Sequence, residues 1–92
     1  MNEIEQTLKQ RGDRYGSYRC VAQTSQMLKD VIRSSYNVRN NSLEWYQQES
    51  LDLISNKLAR ILNGDPNYRD SWLDIAGYAQ LVVDELDKNV NL

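Results

Sequence analysis

Apolar residues recur along this chain three or four apart, and strict alternation of apolar and polar positions appears nowhere, so the pattern predicts helices and no strands. From Ser42 to Asn63 the set Leu43, Tyr46, Leu51, Ile54, Leu58, Ile61 and Leu62 marks one long helix. Asn41 with Glu44 three residues on reads as a capping box at its start, and Gly64 stands where a left-handed C-terminal residue is expected. Asp65-Pro66-Asn67 is a turn signal, after which Asp70 or Ser71 caps a further helix carrying Trp72, Ile75, Ala79, Val82, Val83 and Leu86. Upstream, Ser17 opens a helix with Tyr18, Val21, Ala22, Leu28 and Ile32, expected to run to about Ser35, with Tyr36 to Asn41 as a connector. Ile4 and Leu8 give a short first helix over Asn2 to Gln10. Arg11 to Gly16, with glycines at positions 12 and 16, reads as an ordered loop. The expected fold is all-α: one domain over residues 1–92, a compact antiparallel bundle of three main helices plus the short N-terminal one.

Composition narrows the function. With 40% hydrophobic and 26% charged residues the chain should fold, but 92 residues bury a modest core, and self-association into a homo-oligomer is expected. A net charge of -2 argues against generic DNA binding. Neither a signal peptide nor an apolar run of membrane-spanning length is evident, and with Cys20 as the single cysteine the expected compartment is the cytoplasm. The absence of histidine removes Ser-His-Asp and Cys-His catalysis, and with one cysteine it removes an ordinary zinc site. Carboxylate chemistry with Mg²⁺ stays open.

Two groups of residues carry candidate chemistry. Lys57 and Arg60 near the end of one helix, and Asp70 and Asp74 near the start of the next, come level in an antiparallel hairpin beside Trp72 and Tyr78. The plainer alternative is that these charges suit the helix dipoles and neutralise one another. Gly77, inside a helix at a cost of about 1 kcal/mol relative to alanine, suggests a close approach by helix two, a partner subunit or a ligand. The second group is Arg11, Arg14 and Tyr15, with Arg19 and Tyr18 nearby, where guanidinium and aromatic groups can clamp phosphate and stack on a base; the plainer alternative is a solvated loop. Glu49 and Asp52 could join Asp70 and Asp74 as a divalent-metal set, although the two pairs stand about 12 Å apart along the hairpin at the rise of an α-helix.

The segments Arg11 to Gly16, Lys57 to Pro66 and Asp70 to Ala79 resemble a set of small phage and prophage proteins carried as a domain of unknown function. That resemblance implies a phage origin and a place in the host cytoplasm. A more distant similarity is to the all-helical nucleoside triphosphate pyrophosphohydrolases, whose Glu-x-x-Glu and Glu-x-x-Asp pairs hold Mg²⁺. Here only the Glu49/Asp52 and Asp70/Asp74 sets stand in that role. Three expectations follow. The first is a homo-oligomer that binds a nucleotide-like anion through Arg11, Arg14, Tyr15, Lys57 and Arg60, with Asp70 and Asp74 orienting them and Tyr78 beside them, and so sequesters a host defence signal. It needs no cofactor. The second is an Mg²⁺-dependent nucleotide pyrophosphohydrolase using Glu49, Asp52, Asp70 and Asp74. The third is a module that binds a host protein through Trp45, Tyr46 and Tyr68, of which adjacent Trp45 and Tyr46 cannot both face the core.

Overall fold

A computed structural model describes residues 2–90. They form four helices, α1 (Glu3–Tyr15), α2 (Tyr18–Val38), α3 (Trp45–Asn63) and α4 (Arg69–Val90), and no strand occurs among the described residues. No helix among them is long and apolar enough to cross a membrane.

Arg11 to Gly16 do not form the expected loop, because Arg11 to Tyr15 are helical and Gly16 caps the helix. Helix α1 opens on Asn2, whose side chain accepts from the Glu5 backbone N–H at 2.8 Å, and it continues through Gly12 to Tyr15. Arg11, Arg14 and Tyr15 are therefore fixed on the last turns of a helix. A mid-helix glycine opposes this by about 1 kcal/mol, but the end of α1 is held from outside: the Arg14 carbonyl accepts from the Asp65 N–H at 2.6 Å. Gly16 stops the helix with φ 86°.

The other boundaries shift for similar local reasons. Helix α2 runs on to Val38, past Ser35, and closes when the Asn41 N–H reaches the Tyr36 carbonyl at 2.9 Å, next to Asn40 at φ 50°. Asn41 is thereby spent on the end of α2. The capping box of α3 forms three residues later, between Glu44 and Gln47, with the Glu44 N–H donating to Gln47 Oε1 at 2.9 Å. In α4, Asp70 and Ser71 both lie inside the first turn; Ser71 is buried, and the Trp72 indole N–H donates to the Pro66 carbonyl at 2.8 Å.

Helix α3 is the centre of the molecule. It touches all three other helices, α1 also touches α2, and α4 packs on α3 alone. Lys57 pairs with Asp74, and the Ser50 hydroxyl donates to the Tyr78 carbonyl, so following α3 forwards meets α4 backwards, as in a hairpin. The four helices pack together without a contact between α2 and α4, and their extents are 53 × 30 × 23 Å, more elongated than the compact bundle that the sequence suggests. The radius of gyration, 15.7 Å, exceeds the roughly 12 Å of a compact chain of this length.

Small side chains set these contacts. Val21, Ala59 and Ile61 are the buried apolar residues among those described, and Ser25, Ser50, Ser55 and Ser71 are buried beside them. Ser55 gives its hydroxyl to the Leu51 carbonyl at 2.7 Å, which satisfies it inside the helix. Serine and alanine at the crossing points let the backbones approach closely and leave many large apolar side chains outside. Gly77 is not such a point: an added Cβ there meets nothing within 4 Å.

Candidate functional site

The site is built where the corner between α1 and α2 rests on the C-terminal end of α3. Two glycines permit the contact. At Gly16 a Cβ would run into the Asn63 carbonyl, on top of a positive φ. At Gly64 a Cβ would overlap the Arg14 carbonyl and the Tyr15 backbone, atoms that cannot rotate aside. Gly64 has φ -130° and ψ -136°, so it is glycine for want of space and not for the left-handed turn its position suggests. The Asn63 amide N–H₂ adds a link to α2, donating to Thr24 Oγ1 at 3.0 Å.

This seating delivers the α1 side chains to the hairpin. The Arg60 guanidinium lies 4.5 Å from the centre of the Tyr15 ring, and Tyr15 meets Tyr68 edge-on at 5.9 Å between centroids. On the far side Arg14 sits 5.0 Å from the Tyr68 centroid and donates to its hydroxyl at 3.2 Å, while that hydroxyl donates to Asp70 Oδ2 at 3.1 Å. The result is a stack of cation, ring, ring and cation, in which each guanidinium faces the negative π surface of a tyrosine. Beside it opens a largely apolar cleft of about 510 Å³, whose walls include Leu8, Arg11, Tyr15, Tyr18, Asn56 and Arg60. That size falls in the range of small-molecule sites.

The eight predicted site residues divide into three groups. Arg11, Tyr15 and Arg60 share the cleft. Arg14 and Asp70 stand behind it and are joined to it through Tyr68. Lys57 and Asp74 close on each other at 3.0 Å, with the Lys57 side chain 14% exposed, and Tyr78 contributes its backbone carbonyl to Ser50. For Lys57 and Asp74 the plain ion-pair alternative describes what they do. Among the described residues none of Arg11, Arg14 and Arg60 takes part in a salt bridge, so Arg11 and Arg60 line the cleft without a carboxylate at ion-pair distance. Glu49, Asp52, Asp70 and Asp74 do not assemble: among the described residues no three Asp, Glu or Cys side chains gather to hold a metal ion. Trp45, 90% exposed, faces outward and Tyr46 is half-buried, as their adjacency requires.

Tyr68, the hinge of the stack, is the residue whose role the sequence conceals, because it follows an ordinary turn and belongs to no charge pattern. Its hydrogen bond to the Asp70 carboxylate stabilises the protonated phenol and raises its pKa above the usual 10.0, partial burial adds to this, and the Arg14 charge opposes it. A folded-state pKa above the unfolded one means that the contribution to stability is complete below pH 10 and is lost as pH rises through the raised value. An ultraviolet tyrosinate titration should therefore show a late-ionising tyrosine that Tyr68→Phe removes and Asp70→Asn brings down; a late step that survives Tyr68→Phe, or a curve that Asp70→Asn leaves unchanged, would contradict the hydrogen bond. Compared with known families, curated proteins and solved structures, the chain matches none.

Proposed function

We propose that the protein binds a small nucleotide-like anion in the cleft between α1, α2 and α3. The observation that carries this reading is the placement of Arg60 over the Tyr15 ring in a cleft shared with Arg11, with no carboxylate neutralising either guanidinium among the described residues. Arg11 and Arg60 hold phosphate oxygens in charge-assisted hydrogen bonds. Tyr18 supplies a flat face for a base while the Tyr15 ring holds the Arg60 guanidinium, the Asn56 amide can both donate to and accept from the edge of the base, and Leu8 and Val21 line the apolar part. Arg14, Tyr68 and Asp70 fix the Tyr15 ring from behind, and the Lys57–Asp74 pair keeps the hairpin wall in register. The protein acts by binding, without a cofactor, as a homo-oligomer. Sequestration of a host defence signal on behalf of a phage extends this reading and rests on the sequence resemblance alone.

Isothermal titration calorimetry against a panel of cyclic and linear nucleotides tests it. Saturable heat with at least one of them, weakened by salt as a phosphate contact requires, is the expected result. No heat with any of them would overturn the proposal.

A further inference from the structure

Helix α4 carries two parallel seams and uses one. Ser71, Ile75, Tyr78, Val82 and Glu85, spaced alternately four and three apart, are buried or half-buried on the side towards α3. Trp72, Ala76, Ala79, Val83 and Leu86 repeat the same spacing about 100° round the helix, and all five are exposed. A four-three repeat of apolar residues is the pattern that pairs helices side by side. Among the described residues no helix covers it, since α4 meets only α3.

We infer that this seam is covered by the same seam of a second copy, running antiparallel about a two-fold axis near Ala79. Three observations select that occupant. The chain exposes 7057 Å², against about 5,500 Å² for a folded monomer of its mass, so it carries surface for a partner to cover. The seam is complementary to itself in size: antiparallel pairing centred on Ala79 sets Trp72 against Leu86 of the partner subunit and Ala76 against Val83 of the partner subunit, while Ala79 meets its own copy and lets the backbones close. It is also complementary in charge. Arg69 and Asp87 lie on one flank of the seam about five turns apart, both exposed and neither in a salt bridge among the described residues. The antiparallel register brings each beside the other's counterpart, twice over, as a two-fold interface demands. The seam lies on a helix that does not line the cleft, so this dimer deepens the homo-oligomer of the proposed function and leaves the ligand-binding cleft independent of it.

Sedimentation equilibrium of the full chain tests it, with far-ultraviolet circular dichroism on every variant. The wild type should sediment at twice 10.7 kDa. Ala79→Glu places two carboxylates on the axis and should yield a monomer of unchanged helicity, because Ala79 is exposed in the single chain. Arg69→Asp and Asp87→Arg should each raise the dimer dissociation constant roughly ten-fold, and the double variant should restore it. A wild type that sediments at 10.7 kDa, an Ala79→Glu variant that stays dimeric, or a double variant no tighter than the single ones would overturn the inference.

Discussion

Replacing Gly64 by alanine is expected to destabilise the protein by about 3 kcal/mol, the upper range for forcing atoms into a packed contact, and to lower its melting temperature by roughly 12–24 °C. The added Cβ overlaps the Arg14 carbonyl and the Tyr15 backbone, so relief requires the end of α1 to lift away from α3. Lifting it breaks the Asp65 to Arg14 hydrogen bond and separates Tyr15 from Arg60 and Tyr68. With three buried apolar side chains among the described residues, little else holds α1 in place. The same exchange at Gly77, where a Cβ meets nothing within 4 Å, should instead stabilise by about 1 kcal/mol through helix propensity alone. Urea melts of the two variants check both signs. Equal, small effects would mean that the α1 corner is not seated as described.

Arg60→Ala is expected to weaken nucleotide binding at least ten-fold while leaving the melting temperature within a few degrees of the wild type. A hydrogen bond to a charged group contributes about 1.5–3 kcal/mol, or roughly ten- to more than a hundred-fold in affinity. Arg60 has no carboxylate partner to strand, so its removal leaves no buried charge behind. Lys57→Ala is the informative contrast. It deprives Asp74 of a partner at 3.0 Å and should lower stability with little change in affinity, because Lys57 does not line the cleft. Calorimetry and thermal melts on the two variants separate the roles, and affinity that falls only in Lys57→Ala would reverse the assignment.

How much of this was legible in the sequence depended on whether local or tertiary forces decided each feature. The existence and type of α2, α3 and α4 follow from periodicity, which burial against a neighbouring helix enforces. The end of α1 does not: glycines at 12 and 16 signal a break, and only the second makes one, because docking on α3 outweighs the propensity cost at the first. Asn41 offers a capping box to α3 but is taken by the end of α2, a competition between neighbours that spacing alone does not rank. The sequence names the apolar residues of α4 without dividing them, and their division into a seam towards α3 and a seam left bare needs the knowledge that α2 stays away. For the site, residue type pointed to Arg11, Tyr15 and Arg60. It could not say that Lys57, one turn before Arg60, would be spent on Asp74, or that Tyr68 would bind the two halves of the stack together.

The cleft where α1 meets α3 is the proposed binding site. Backbone amide chemical-shift mapping on addition of the nucleotide that gives heat in calorimetry tests it most directly. The largest shifts are expected on Arg11, Gly12, Tyr15, Gly16, Asn56 and Arg60, and they should collapse in Arg60→Ala. Shifts centred instead on the Asn-rich cleft between α2 and α3, at Asn37, Asn40, Asn41 and Trp45, would contradict it.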